Sequence, residues 1–263
     1  MGEAKHNRRR KLAFLRKHPY CCFCGGATPA TTVDHVPSRQ MFSLKRRPKG
    51  LEVPACNACN QATRQYEQVA AMLGRIYPDG PTHADRDEVG KIMHAVDRNA
   101  PGLIEEMMPS IRQEHRFMRS KPSLPKDVAG VFNCGGPLLN RSIQSFGAKL
   151  GLALYYATTD GLIVPLEGGV AVQWYSNFAA ATEGIPDSIF QLLGPPKTLT
   201  QGKWGVGEQF SYAFAIAENA KMAAYFATFR GSFAVVSWVC QDASGFDVVD
   251  DIVVHRPGQV LNC

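Results

Sequence analysis

The chain has 263 residues, 45% of them hydrophobic and 20% charged, a balance that excludes a wholly disordered protein and allows two domains. Its apolar runs are shorter than the roughly 18 residues of a membrane span, and its basic start lacks an apolar signal segment, so we expect no membrane partner. Eight cysteines, half of them in two close pairs, fit a reducing compartment better than a disulfide framework, and we expect a cytoplasmic protein.

The formal net charge of +6 is distributed unevenly along the chain. Residues 1–64 hold 13 Lys/Arg against 3 Asp/Glu, a net charge of +10, so the remaining residues hold 16 against 20, a net charge of −4. A localised basic region favours binding to a phosphate backbone. A solvated surface is an equally simple interpretation of composition alone.

Residues 3–18 combine a basic run with the apolar side chains of Leu12, Phe14 and Leu15. This pattern predicts a short basic helix that packs on the segment that follows, with a frayed tail as the alternative. The cationic residues that we expect to contact nucleic acid in this arm are Arg8, Arg9, Arg10 and Lys11.

Two pairs of cysteines, each with two intervening residues, stand 31 residues apart. The spacing of Cys21 with Cys24 and of Cys56 with Cys59 lets each pair offer two sulfurs to one tetrahedral ion, which predicts a closed structural Zn²⁺ site. Cys22 is a poor substitute for Cys21, because it is only two positions from Cys24. Buried free thiols or disulfides are the alternative interpretation.

Two short strands are predicted between the cysteine pairs. The β-branched residues of 31–36 predict the first strand, and residues 51–53 predict a second strand that ends at Pro54. Adjacent residues of a strand point to opposite faces, so Asp34 and His35 face one partner only if the strand twists or bulges.

Residues 56–73 have the composition of a helix, which would place Asn60, Arg64 and Glu67 on one face. The loop between the two strands is strongly basic, and we expect it to follow a phosphate backbone. Its cationic residues are Lys45, Arg46, Arg47 and Lys49.

The combination of C-x2-C, D-H-V-P and L-x-V-P-A-C-x2-C-N, over residues 20–67, resembles the zinc-braced branch of the HNH endonucleases, a ββα-metal nuclease family. The resemblance implies a DNA phosphodiesterase in which His35 activates water while Asp34 and Asn60 hold one Mg²⁺ or Mn²⁺ ion. General chemistry agrees, since imidazole accepts protons near neutral pH and hard cations prefer carboxylate and amide oxygens. A structural histidine is the alternative for His35.

The chain departs from the family pattern at two places. The family often has an Asn before the second strand, where this chain has Gly50. A His or Lys is common about one turn after the helix Asn, where this chain has Thr63 or Arg64. Arg64 is a candidate phosphate contact, and an exposed helix arginine is an equally simple interpretation.

Beyond the cysteine region, helical periodicity predicts three helices. They cover residues 83–98, residues 102–119 with a kink or break at Pro109, and residues 140–157. Residues 148–166 resemble a helix-then-strand segment that follows some HNH modules.

From residue 209 to residue 240 the hydrophobic period changes to two, which predicts a three-stranded antiparallel meander. Helix is an alternative for residues 220–229.

We therefore expect an α+β protein in three segments. The first, residues 1–78, is the basic arm with a small zinc-braced ββα-metal (HNH) module. Residues 79–136 form a helical connector, and residues 137–263 form an α+β domain of unknown role that contains the meander. Turn formers at 77–81 and a Pro/Gly-rich stretch at 122–136 mark the boundaries.

Two functions follow from these observations. The first is a metal-dependent HNH endonuclease that acts on DNA. Its long C-terminal segment would suit a regulated effector, as in a mobile element or an anti-phage system. Such an effector would bind a protein partner or a second copy through that segment. The alternative is a noncatalytic zinc-dependent nucleic-acid-binding protein, which has no need of Asp34 and His35.

Overall fold

A two-stranded hairpin near the start of the chain and a six-stranded sheet in its last third organise the structure. The computed structural model describes residues 2–43, 48–49, 51–76, 83–120, 132–201, 204–246 and 253–259. The helices are α1 (Gly2–Lys17), α2 (Asn57–Ala62), α3 (Arg64–Leu73), α4 (His83–Asn99), α5 (Leu103–Met107), α6 (Ile111–Ser120), α7 (Pro137–Thr158), α8 (Asn177–Thr182) and α9 (Asp187–Leu192). The strands are β1 (Thr32–His35), β2 (Glu52–Ala55), β3 (Gly169–Ser176), β4 (Lys197–Thr198), β5 (Thr200–Gln201), β6 (Trp204–Gly205), β7 (Ser211–Ile216), β8 (Met222–Phe229), β9 (Phe233–Cys240) and β10 (Val254–His255). The predicted α+β class is confirmed.

Among the described helices, none is both long enough and apolar enough to cross a bilayer.

The hairpin pairs β1 with β2 in antiparallel register, with His35 opposite Glu52 and Val33 opposite Pro54. The prediction that the second strand ends at Pro54 is wrong, because β2 continues to Ala55. The carbonyl of Pro54 accepts a hydrogen bond from the Cys22 N–H at 3.0 Å, on the side away from β1. The backbone nitrogen of a strand residue points to the same side as its carbonyl, so the proline removes no donor from the pairing with β1.

The helix predicted over residues 56–73 is divided in two. Cys56 caps α2, because its sulfur accepts a hydrogen bond from the Cys59 N–H at 3.4 Å. Thr63 has a ψ of 0° and separates α2 from α3. After the break, α3 packs against α4 and α7.

The three predicted helices beyond residue 82 are confirmed, and Pro109 separates α5 from α6 as expected. Helix α7 is the central one, because it packs against α3 on one side and against β3, β8 and β9 on the other. One cluster of buried side chains extends from Cys21 to Val239 and includes residues of all three predicted segments. The predicted boundary at 77–81 and most of the connection at 122–136 lie outside the described residues.

The large sheet has the strand order β10-β3-β9-β8-β7-β4, and every pairing in it is antiparallel. The predicted meander is its centre, formed by β7, β8 and β9, and the helical alternative for residues 220–229 is wrong. The sequence analysis missed β3. Residues 148–166, which resemble a helix followed by a strand and are all described, hold the end of α7 and no strand.

Two glycines of α7 allow the helix to lie close to the sheet. A Cβ atom at Gly147 would lie 2.6 Å from Val172 Cγ1 and 2.8 Å from Val235 Cγ1, and one at Gly151 would lie 2.9 Å from Ser237 Cβ. These neighbours are short, stiff side chains on paired strands, so they cannot move aside without shifting the sheet.

We expect Gly147→Ala to lower the free energy of unfolding by about 1–2 kcal/mol, since overpacking outweighs the gain of about 1 kcal/mol in helix propensity. Gly90→Ala on α4 is the matched control, because no atom lies within 4 Å of the added Cβ, and it should be neutral or stabilising. Urea unfolding of both variants measures the difference. Equal effects at the two positions would contradict this account of the α7 packing.

Candidate functional site

The predicted cysteines come together in a buried cluster. The Sγ atoms of Cys21, Cys24, Cys56 and Cys59 all lie within 4.8 Å of one another. Four sulfurs around a tetrahedral Zn²⁺ ion are about 3.8 Å apart when each Zn–S bond is about 2.3 Å. Four buried cysteines of this spacing can hold a structural metal such as zinc, and Cys22, also buried, lies outside the cluster.

Tight backbone turns present these sulfurs. The first pair lies on a turn in which Gly26 N–H donates to the Cys21 carbonyl at 3.0 Å, and Gly25 and Gly26 have φ angles of 64° and 76°. Residues with a Cβ rarely adopt these angles, so the turn requires glycine. The second pair lies at the cap and first turn of α2. A hydrogen bond with the Cys59 thiol lowers the pKa of Cys21 to about 5, which favours the thiolate that binds metal.

Asp34 and His35 lie next to each other on β1 but have different surroundings. Asp34 is buried, and its Oδ2 lies 2.7 Å from Lys149 Nζ. His35 is half-buried, and its Nδ1 lies 3.7 Å from Oε1 of Glu52, its cross-strand neighbour. The Asp34 Oδ1 accepts a hydrogen bond from the His35 N–H at 2.7 Å. The two side chains therefore follow the alternation of a regular strand.

Lys149, on α7, is the residue that the sequence analysis missed. Its Nζ donates to Glu67 Oε1 at 2.5 Å, pairs with Asp34, and lies 5.2 Å from the ring centroid of Phe23 in the first cysteine turn. Only 1% of the lysine is exposed. We call Lys149, Asp34 and Glu67 the buried ion group. The signal available in the sequence was one lysine among the apolar residues of α7. The sequence did not show which acidic residues pair with it.

The pKa values of Lys149 and Glu67 reflect burial and their mutual attraction. Burial by itself would lower the pKa of Lys149, but Glu67 and Asp34 raise it above its ordinary value by charge and hydrogen bonding. Burial raises the pKa of Glu67, although Lys149 opposes that shift. Lys149 is therefore a cation throughout the neutral range.

Asn60 lies on α2 against the hairpin, and its Nδ2 donates to Thr32 Oγ1 at 3.2 Å. The three residues predicted to share one helix face differ in exposure, because Asn60 is half-buried, Arg64 is exposed and Glu67 is buried. The break at Thr63 accounts for the difference.

The ion that the HNH resemblance implies does not fit the observed Asp34. One carboxylate oxygen faces the Lys149 ammonium and the other accepts from the His35 N–H. A divalent cation at this carboxylate would lie beside a buried like charge. Asp34 lies on β1 and Asn60 contacts the same strand, but Asp34 is already paired with the Lys149 ammonium.

Several predicted nucleic-acid contacts are exposed. Helix α1 packs against β1, and Tyr156 of α7 forms a 2.5 Å hydrogen bond with His18 just after α1. The exposed predicted contacts are Arg8, Arg9, Arg10, Lys11, Lys49 and Arg64. Lys45, Arg46 and Arg47 lie outside the described residues.

Helix α6 adds a basic surface that the sequence analysis did not identify. Arg112, His115, Arg116 and Arg119 are exposed and line one open concavity together with Ile111. These residues are three or four positions apart, which places them on one face of a helix. This spacing was the signal available in the sequence.

A scan against protein-family models, a search of curated proteins and a search of solved structures found no match to this chain.

We expect freshly purified protein to contain one zinc ion per chain and Cys56→Ser to lose it, because three thiolates bind Zn²⁺ less tightly than four. The loss should also unfold or expose the hairpin. Cys134→Ser, at a half-buried cysteine outside the cluster, is the control and should keep its zinc. Elemental analysis that finds no zinc in the unmodified protein would contradict the assignment.

We expect Lys149→Met to lower the free energy of unfolding by about 3–5 kcal/mol, because two buried carboxylates would lose their counter-charge. Glu67→Gln should cost less, since the pair of Lys149 with Asp34 survives. Lys91→Met, at an exposed lysine of α4, is the control and should change stability by less than about 0.5 kcal/mol.

The same lysine predicts a pH dependence. A pKa raised by folding contributes stability below the unfolded value of about 10.4, and that contribution is lost as the pH rises through the folded value. The stability gap between wild type and Lys149→Met should therefore shrink above about pH 10. Urea unfolding of both proteins from pH 8 upward measures it, and a constant gap would contradict the ion pairing.

Proposed function

We propose that the protein is an HNH-type nuclease that hydrolyses phosphodiester bonds in DNA. The observation that carries the proposal is the position of His35, whose side chain is 25% exposed at the end of β1, in a β1-β2-α2 unit next to the four-cysteine cluster. This order of strand, strand and helix, with the histidine on the first strand, is the arrangement implied by the HNH resemblance.

Glu52 supports the role of His35 as a general base. The carboxylate lies 3.7 Å from Nδ1 across the hairpin. A carboxylate at this position favours the tautomer with the proton on Nδ1, so Nε2 would be the basic nitrogen that accepts a proton from water. Glu52 would thus act as a positioning residue for the imidazole.

The basic surface supports DNA as the substrate. Helix α1 lies against β1, the strand of His35, and its residues Arg8 to Lys11 are exposed. Phosphate contacts position a duplex on a protein without selecting its sequence. In this proposal the basic helix holds the DNA backbone near the hairpin. Regulation through the C-terminal sheet, by a protein partner or a second copy, remains part of the same proposal.

The second candidate is a noncatalytic zinc-dependent nucleic-acid-binding protein. One observation favours it: the carboxylate of Asp34 is held by Lys149 and is not available in this arrangement as an ion ligand. The zinc cluster and the basic helix would serve binding equally well without hydrolysis.

We expect His35→Ala to reduce cleavage of supercoiled plasmid DNA by at least about 10²-fold, because a general base contributes about 10²–10⁴-fold. Zinc content and the free energy of unfolding should stay close to wild type, since the ring is partly exposed and lies outside the cysteine cluster. His94→Ala, at an exposed histidine of α4, is the matched control and should cleave as wild type does.

The assay is run with Mg²⁺, with Mn²⁺, and in resin-treated buffer that contains neither ion but leaves the zinc bound. Cleavage that is insensitive to His35→Ala would indicate a contaminating nuclease and contradict the proposal. Tight DNA binding with no cleavage in any of the three buffers would support the noncatalytic function.

A further inference from the structure

The carboxylate that the HNH resemblance assigns to a divalent ion is already neutralised by the protein. Lys149 Nζ lies 2.7 Å from Asp34 Oδ2 and 2.5 Å from Glu67 Oε1. The lysine is 1% exposed and Asp34 is 8% exposed, so bulk water provides little screening. An ammonium at this distance takes up the position from which a cation would bind the carboxylate.

A divalent ion and the ammonium would compete for the same oxygen. Mg²⁺ binds carboxylate oxygens at about 2.0–2.1 Å, which would place it within a few ångströms of the Lys149 nitrogen. Rotation of the Asp34 carboxylate does not provide a free oxygen for the divalent ion, because Oδ1 accepts a hydrogen bond from the His35 N–H at 2.7 Å. Glu67 also accepts a hydrogen bond from the ammonium, so the lysine does not depend on Asp34 alone.

We infer that Lys149 supplies the positive charge at Asp34 in place of a divalent ion, and that Asp34 anchors the hairpin to α7 instead of binding metal. The inference rests on the proposed function only in taking Asp34 as the ion position of an HNH-type site. Lys149 is a positioning residue, because at 1% exposure its ammonium does not reach a bound phosphate.

Manganese binding tests this inference without reference to activity. Mn²⁺ is titrated into zinc-loaded protein, and free Mn²⁺ is followed by electron paramagnetic resonance. We expect the single variant Asp34→Asn to bind Mn²⁺ with the same affinity as the wild-type protein. The Lys149→Met variant should gain a Mn²⁺ site whose affinity is at least about tenfold higher than that of the protein with Lys149. Adding Asp34→Asn to this variant should remove the site.

Matched variants keep the result interpretable. Lys91→Met removes an exposed lysine and should create no Mn²⁺ site. If Lys149→Met does not fold, the double variant Lys149→Met/Glu67→Gln removes one buried carboxylate together with the ammonium and leaves Asp34 as the remaining charge. The same Asp34-dependent gain is expected in that protein.

Two results would overturn the inference: a Mn²⁺ site in wild-type protein that Asp34→Asn abolishes, or no Asp34-dependent site in a folded protein without Lys149. Its failure is distinct from failure of the nuclease proposal. Wild-type protein that binds Mn²⁺ through Asp34 and cleaves DNA refutes the inference alone. Protein that shows no such site and does not cleave refutes the nuclease proposal alone.

Discussion

The buried ion group of Lys149, Asp34 and Glu67 is the interaction on which the arrangement of the chain depends. It joins α7 to β1 and α3, with the lysine 1% exposed. One ammonium and two carboxylates are costly to bury unless all three are close together, and removing the ammonium leaves two buried carboxylates without a counter-charge. The hairpin therefore cannot move away from α7 without a large loss of stability.

The same helix is fixed to the sheet on its other side by close packing. A Cβ at Gly147 would lie within 3.0 Å of two valines on β3 and β9, so the helix and sheet are in close contact there. The hairpin is too small to bury a core alone, and both the cysteine cluster and α7 complete it. The clustered cysteines and the buried ion group thus connect the hairpin to its surroundings, whereas apolar packing connects α7 to the sheet.

Local patterns in the sequence predicted much of this structure. Cysteine spacing identified the four clustered sulfurs, and hydrophobic periodicity identified α4, α7 and the central meander. Contacts between distant segments were not predictable: Glu67 pairs with Lys149 from 82 positions away, and no pattern near either residue specifies the other. The continuation of β2 through Pro54 also depends on a distant contact, because the Pro54 carbonyl accepts a hydrogen bond from the Cys22 N–H in the first cysteine turn.

The alternation of β1 determines what chemistry the hairpin can offer. Asp34 faces α7 and becomes part of the interior, whereas His35 faces Glu52 and keeps contact with solvent. A nuclease of the proposed type needs the histidine ring near water and a positive charge near the scissile phosphate. The first requirement is met by the hairpin itself. Because Lys149 is buried, the positive charge at the scissile phosphate must come from the exposed cations around the hairpin or from an ion bound elsewhere than at Asp34. The location of that charge therefore separates a catalytic hairpin from one that only binds DNA.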